Sequence, residues 1–171
     1  MDDQTADAAA WQNNRDKADL YANLGHQIAG LQSDETDLIA NLANASAAIY
    51  HGLPFLNWAG FYLFRGTELV LGPFQGKPAC VRIPLGKGVC GAAAARRESV
   101  LVQDVHAFPG HIACDETSRS ELVVPMLHGD ALVGVMDLDS PHPARFDAHD
   151  QAGCEALVAI IMRHFGPAPP A

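Results

Sequence analysis

The stretch that decides the fold is Glu121–Asp139, ELVVPMLHGDALVGVMDLD. Two runs rich in Val and Leu, ELVVPML and ALVGVMDLD, flank His128-Gly129-Asp130. Apolar, β-branched runs separated by a short Gly-Asp segment predict a β-hairpin. A strand alternates its side chains between two faces, so Asp137 and Asp139 point the same way. Glu121 opens one strand and the Asp pair closes the other, so antiparallel pairing makes these ends neighbours. Three carboxylates then crowd one spot. Crowding raises at least one pKa and leaves a proton donor near neutral pH. A solvent-facing strand is the plainer alternative.

Upstream, Asn57–Phe64 (NWAGFYLF) and Glu68–Phe74 (ELVLGPF) are joined by Arg65-Gly66-Thr67 and predict a second hairpin. Trp58 and Tyr62 are an even number of residues apart and share a face of their strand. VRIPL and SVLVQD read as shorter strands around a Gly- and Ala-rich piece. A first helix is predicted over about Trp11–Leu31, with Leu20, Leu24, Ile28 and Leu31 as its apolar stripe. A second opens at Ser33 as N-cap, carries Leu38, Leu42, Ala45 and Ile49, and stops at Gly52. The last is capped by Asp147, with Cys154, Leu157, Val158, Ile161 and Phe165 as its stripe. Tight turns between strands mean an antiparallel sheet, and helices at both ends of the chain can cover one face of it. The order predicts an α+β fold with one domain over residues 11–165 and disordered ends at 1–10 and 166–171.

The 171-residue chain is 49% hydrophobic with a formal charge of −9 and no basic run. That balance argues against nucleic-acid binding. No apolar stretch approaches the ~20 residues that span a bilayer, and the start lacks a signal-peptide pattern. A cytoplasmic protein is expected, with no membrane partner. In a reducing compartment the four cysteines read as catalytic groups, metal ligands or core thiols rather than a disulfide framework.

Cys154 falls on an apolar helix face and reads as a core thiol. Cys80, Cys90 and Cys114 fall in the irregular middle, Phe74–Arg119, where long loops are usually functional. His106, His111 and Cys114, with Cys80 or Cys90, lack the close ligand pair typical of zinc, so no metal is expected. Gly86–Gly91 (GKGVCG) fits G-x-G-x-x-G, yet only about two helical turns fit before the strand at Ser99, too few for a parallel crossover. The same glycines can start a short helix, where the dipole would favour a Cys90 thiolate or Cys90 would simply pack. Loop cysteines also suit redox chemistry: one thiol becomes a sulfenic acid and a second condenses with it.

Taken in order, NWAGFYL, GKPACVRIPLGKGVCGAAA, DVHAFPGHIACD, SELVVP and MDLDSP resemble the free methionine-(R)-sulfoxide reductases, which are GAF-domain enzymes. Ala59, Leu85, Met136 and Leu138 look like conservative departures. The resemblance implies a GAF-like antiparallel sheet of about six strands, terminal helices on one face and a ligand pocket under loops on the other. It implies reduction of free L-methionine (R)-sulfoxide, with Cys114 as the attacking thiol and Cys80 as the main resolving thiol. Cys90 would be a second thiol able to join the exchange. Trp58 and Tyr62 would line the methyl pocket. Glu121, Asp137 and Asp139 would hold the sulfoxide or ammonium, with a raised acid, Glu121 or Asp139, protonating the oxygen. Thioredoxin would restore the dithiol, no cofactor is needed, and a homodimer is expected. The competing reading is a non-catalytic GAF sensor of small molecules, although such sensors usually sit beside output domains.

Overall fold

The computed structural model describes residues 14–110, 115–163 and 165. The expected disordered ends, the start of the first helix at Trp11, His111 and Cys114 lie outside the described residues. The elements are α1 (Asn14–Leu31), α2 (Leu38–Gly52), β1 (Trp58–Arg65), β2 (Glu68–Gly76), β3 (Arg82–Pro84), α3 (Gly88–Arg96), β4 (Val100–Val102), β5 (Ser120–His128), β6 (Ala131–Ser140) and α4 (Ala148–Met162). A single 3-10 turn, Val105–Ala107, follows β4.

The strands form one six-stranded sheet in the order β3-β2-β1-β6-β5-β4. Among the described residues every strand pairing is antiparallel. Both predicted hairpins are present, with Arg65 opposite Glu68 and His128 opposite Ala131, so each turn is two residues long. The fold is GAF-like α+β.

Strand alternation sorts the sheet into two cores. Ala59, Phe61, Leu63, Leu122, Val124, Met126, Met136 and Leu138 face α1, α2 and α4. Trp58, Tyr62, Val123 and Val135 face the other way, onto Val89, Cys90, Ala93 and Ala94 of α3. One residue in two along each strand therefore stabilises the helical layer, and its neighbours are left to shape a site.

Two helix details depart from the sequence reading. The N-cap of α2 is Asp37, not Ser33: its carboxylate accepts from the Ala40 amide, and residues 33–36 turn between the helices. Both residues are good caps by type, and the position of the apolar run decides between them. On α1 the buried face is Lys17, Tyr21, Leu24 and Ile28, while Leu31 is 45% exposed. The cause is Lys17, whose Nζ lies 2.8 Å from Asp147 and 2.7 Å from Asp150 at the head of α4. Asp150 also accepts from Tyr21 Oη at 2.9 Å and Arg145 at 3.0 Å. A buried lysine is stable only when paired, so this cluster turns α1 to face α4. Cys154 packs in the same core, its thiol pushed up to about 12 by burial.

The glycine motif does not form a dinucleotide loop. Its flanking strands β3 and β4 lie on opposite edges of the sheet, so no parallel crossover exists. A Cβ on Gly91 would lie 2.4 Å from the Pro84 carbonyl oxygen. The glycine lets α3 pack against the end of β3 rather than admit a phosphate.

Candidate active site

The site is built from two rows of residues across the sheet. Trp58 on β1 is paired with Asp139 on β6, and Asp139 with Glu121 on β5. In the next row Gly60 is paired with Asp137, and Asp137 with Val123. All of these point toward the α3 side. The extra residue that bends the outer hairpin lies on β2, because Gly60 pairs with Phe74 and Tyr62 with Leu71. The alternation of β1 is therefore intact, and the Trp58 and Tyr62 rings stack at 5.9 Å. Gly60 lies beneath them: a Cβ there would come within 2.7 Å of Trp58 Cη2 and 2.8 Å of the Phe74 Cα.

The aromatic pair also holds the segment that carries Cys80. Trp58 Nε1 donates to the Lys77 carbonyl at 3.1 Å, and Tyr62 Oη donates to the Cys80 carbonyl at 3.0 Å. Cys80 is half-buried and disulfide-bonded. Cys90 is buried in the first turn of α3, its Sγ 4.0 Å from Glu121 Oε1. The pocket between these elements is lined by Trp58, Tyr62, Cys90, Glu121, Asp137 and Asp139, together with Pro78, Ala79, Ile83, Gly88, Val89, Asp115 and Ser118. Trp58, Tyr62, Cys90 and the three acids thus share one cavity, while His106 stands exposed outside it.

Burial dominates the electrostatics. Desolvation raises Glu121 well above the usual carboxylate range, and the charges of Asp137 and Asp139 add to this. Asp139 is raised the same way, by burial and then by Asp137. Asp137 is raised by burial only to about 6, because hydrogen bonds from Cys90 and Glu121 favour its charged form. Burial and mutual repulsion therefore favour the protonated form at Glu121 and Asp139, while the hydrogen bonds to Asp137 pull it back toward its ionised form. The Cys90 thiol is pushed up by burial and by Asp137 and Glu121, which outweighs the pull of the helix dipole. Cys90, Glu121 and Asp137 place donor atoms within 4.8 Å of one another and form, among the described residues, a donor group that could close on a metal ion. Their raised pKa values favour shared protons instead.

Sequence reading missed the rim. Asp115 accepts from the Thr117 amide at 2.9 Å, from Asn57 Nδ2 at 3.2 Å and from Lys77 Nζ at 3.3 Å. It thereby ties the loop after Cys114 to the segment before Cys80. Its carboxyl is held low, first by the Thr117 amide. The Asp-x-Thr spacing is a local turn signal that points to part of this; the partners from distant segments have no local signal.

Residues 31–165 match the GAF domain family. The free methionine-R-sulfoxide reductase of Escherichia coli (strain K12) is 50% identical over 86% of this chain and 89% of its own length. The chain belongs to the free methionine-R-sulfoxide reductase family. Protein YtsP of Bacillus subtilis (strain 168) is 55% identical over 80% of this chain and 85% of its own. The X-ray structure of the Neisseria meningitidis free methionine-R-sulfoxide reductase, in complex with its substrate, superposes with a TM-score of 0.84. It is 47% identical and covers 87% of this chain and 90% of its own. Among the described residues of this reductase-family chain, no helix is long and apolar enough to cross a membrane.

Proposed function

We propose that this chain reduces free L-methionine (R)-sulfoxide to methionine. The observation that carries the reading is the Trp58–Asp139–Glu121 row, an aromatic wall beside a buried and a half-buried acid whose protonated forms are favoured, in a chain of this family. A sulfoxide oxygen leaves poorly until protonated, and Glu121 or Asp139 supplies the proton. The Cys114 thiolate attacks the sulfur, methionine departs, and the oxygen remains on Cys114 as a sulfenic acid. Cys80 attacks that sulfenic acid, a disulfide forms and water leaves. A dithiol partner of the thioredoxin class then takes up the disulfide, so two electrons and two protons balance the oxygen lost as water. Asp137 Oδ1 is buried with no hydrogen-bond partner among the described residues, which suits the substrate ammonium. Trp58 and Tyr62 cover the S-methyl group. Cys90 shares the acids' proton network and, with its thiol so raised, is second to Cys80 in resolving the sulfenic acid. A cytoplasmic homodimer completes the reading.

Purified protein with thioredoxin, its reductase and NADPH should consume the free (R)-sulfoxide, and Cys114→Ser should abolish this. Tight binding of a nucleotide without sulfoxide turnover would point to a sensor instead. Cys80→Ala should still release one equivalent of methionine in a single turnover but lose multiple turnover. Equal steady-state rates would transfer the resolving role to Cys90.

A further inference from the structure

The Cys80 disulfide sits just before β3, one of the two edge strands of the sheet. The ribbon around it is open to solvent: Pro78, Val81, Arg82, Pro84 and Leu85 are all exposed. Val81 is 61% and Leu85 37% exposed, and they are two of the four exposed large hydrophobic residues among those described. Neither lines the acid-bearing pocket, so neither serves the small substrate. A single exposed apolar side chain needs no explanation, but two on the exposed ribbon that directly follows a disulfide-bonded cysteine, along a strand edge, offer a contact surface near where a reductant must arrive.

We propose that the ribbon Pro78–Leu85 is the docking surface for a dithiol oxidoreductase, with Val81 and Leu85 as its apolar anchors. The inference rests on the function proposed above. The partner must bring a thiolate in line with the disulfide, and apolar contacts along the ribbon that follows Cys80 hold it there. The incoming thiolate attacks the Cys80 sulfur, the enzyme S–S bond breaks, and the other cysteine leaves as a thiolate. The partner's second thiol then attacks the mixed disulfide. Two electrons pass to the enzyme, the partner's two protons end on the enzyme thiols, and the partner closes its own disulfide.

The test compares two reductants. Val81→Asp and Leu85→Asp, singly and together, are assayed with thioredoxin and with dithiothreitol, and Ile39→Asp, at an exposed residue of α2, serves as control. Each ribbon variant should raise the KM for thioredoxin about tenfold, as losing an apolar anchor does. The rate with dithiothreitol should stay within about twofold, since a small thiol has no need of the anchors. An unchanged thioredoxin KM in the double variant overturns the proposal, as does an equal loss with both reductants. Thioredoxin lacking its second thiol should be trapped on Cys80, and capture on another cysteine overturns the stated point of attack. If the unmodified protein makes no methionine even with dithiothreitol, it is the underlying function that fails.

Discussion

At the level of single residues, a proton is kept where charge is most costly. Glu121, buried, and Asp139, half-buried, face each other across β5 and β6 in one pocket, so the neutral form of each is favoured. Glu121→Gln and Asp139→Asn keep the shape and remove the acid. Whichever variant removes the proton donor should lower the single-turnover rate of methionine release at least about a hundredfold. Stopped-flow quench measurements check this, and two variants that both keep the full rate would remove the acids from the chemistry. The clustering of these acids was legible in the sequence, because a hairpin with a short turn fixes which ends meet. Their ranking was not. Cys90 and Glu121 temper the rise at Asp137, and Cys90, whose thiol donates to Glu121, arrives from α3, more than thirty residues away in sequence. Asp115 is a similar case, since Asn57 and Lys77 come from separate segments.

At the level of elements, the helices pack through a buried ion cluster as well as through oil. Lys17 of α1 is wholly buried against Asp147 and Asp150 of α4. Removing one partner of such a cluster strands the other charges in low dielectric. Lys17→Met should lower the unfolding free energy by about 3 kcal/mol, read from urea denaturation. The KM for the sulfoxide should not move, because the cluster lies on the helical side of the sheet. A loss below about 1 kcal/mol would mean that the lysine behaves as a surface ion pair. The stripe Leu20, Leu24, Ile28 and Leu31 is a sound helical period, but the true face is rotated from it by the ion pair. Hydrophobic periodicity has no term for a buried lysine. Capping shows a similar limit, since Ser33 and Asp37 are both competent and only the packing of α2 selects Asp37.

At the level of the whole molecule, stability should trade against the site. Glu121, Asp137 and Asp139 have folded pKa values above their unfolded ones, so the folded state holds protons that the unfolded chain releases. Their contribution is fully present below about pH 4, where the unfolded groups are also protonated, and is lost as pH rises from there through the folded values, the loss being complete by about 6 for Asp137. Asp147 works in the other sense. Burial alone would raise it, but Lys17 and backbone amides hold it at about 2, so its contribution is present above its ordinary 3.8 and lost toward pH 2. The urea midpoint should therefore peak at about pH 4–5 and decline toward pH 8. Asp139→Asn should flatten that decline, and a midpoint that rises steadily from pH 5 to 8 would mean the acids are not buried in their protonated forms. The sequence by itself determined the strands, both hairpins, the shared face of Trp58 and Tyr62 and the meeting of Glu121 with Asp137 and Asp139. Each follows from a period of two and a short turn, which are local. Only the tertiary structure decided the face of α1, the seating of Cys90 beneath the acids, the burial that raises those acids and the exposure of the ribbon beside Cys80. Each of these depends on which distant segments exclude water from a group, and no local pattern in the chain records that.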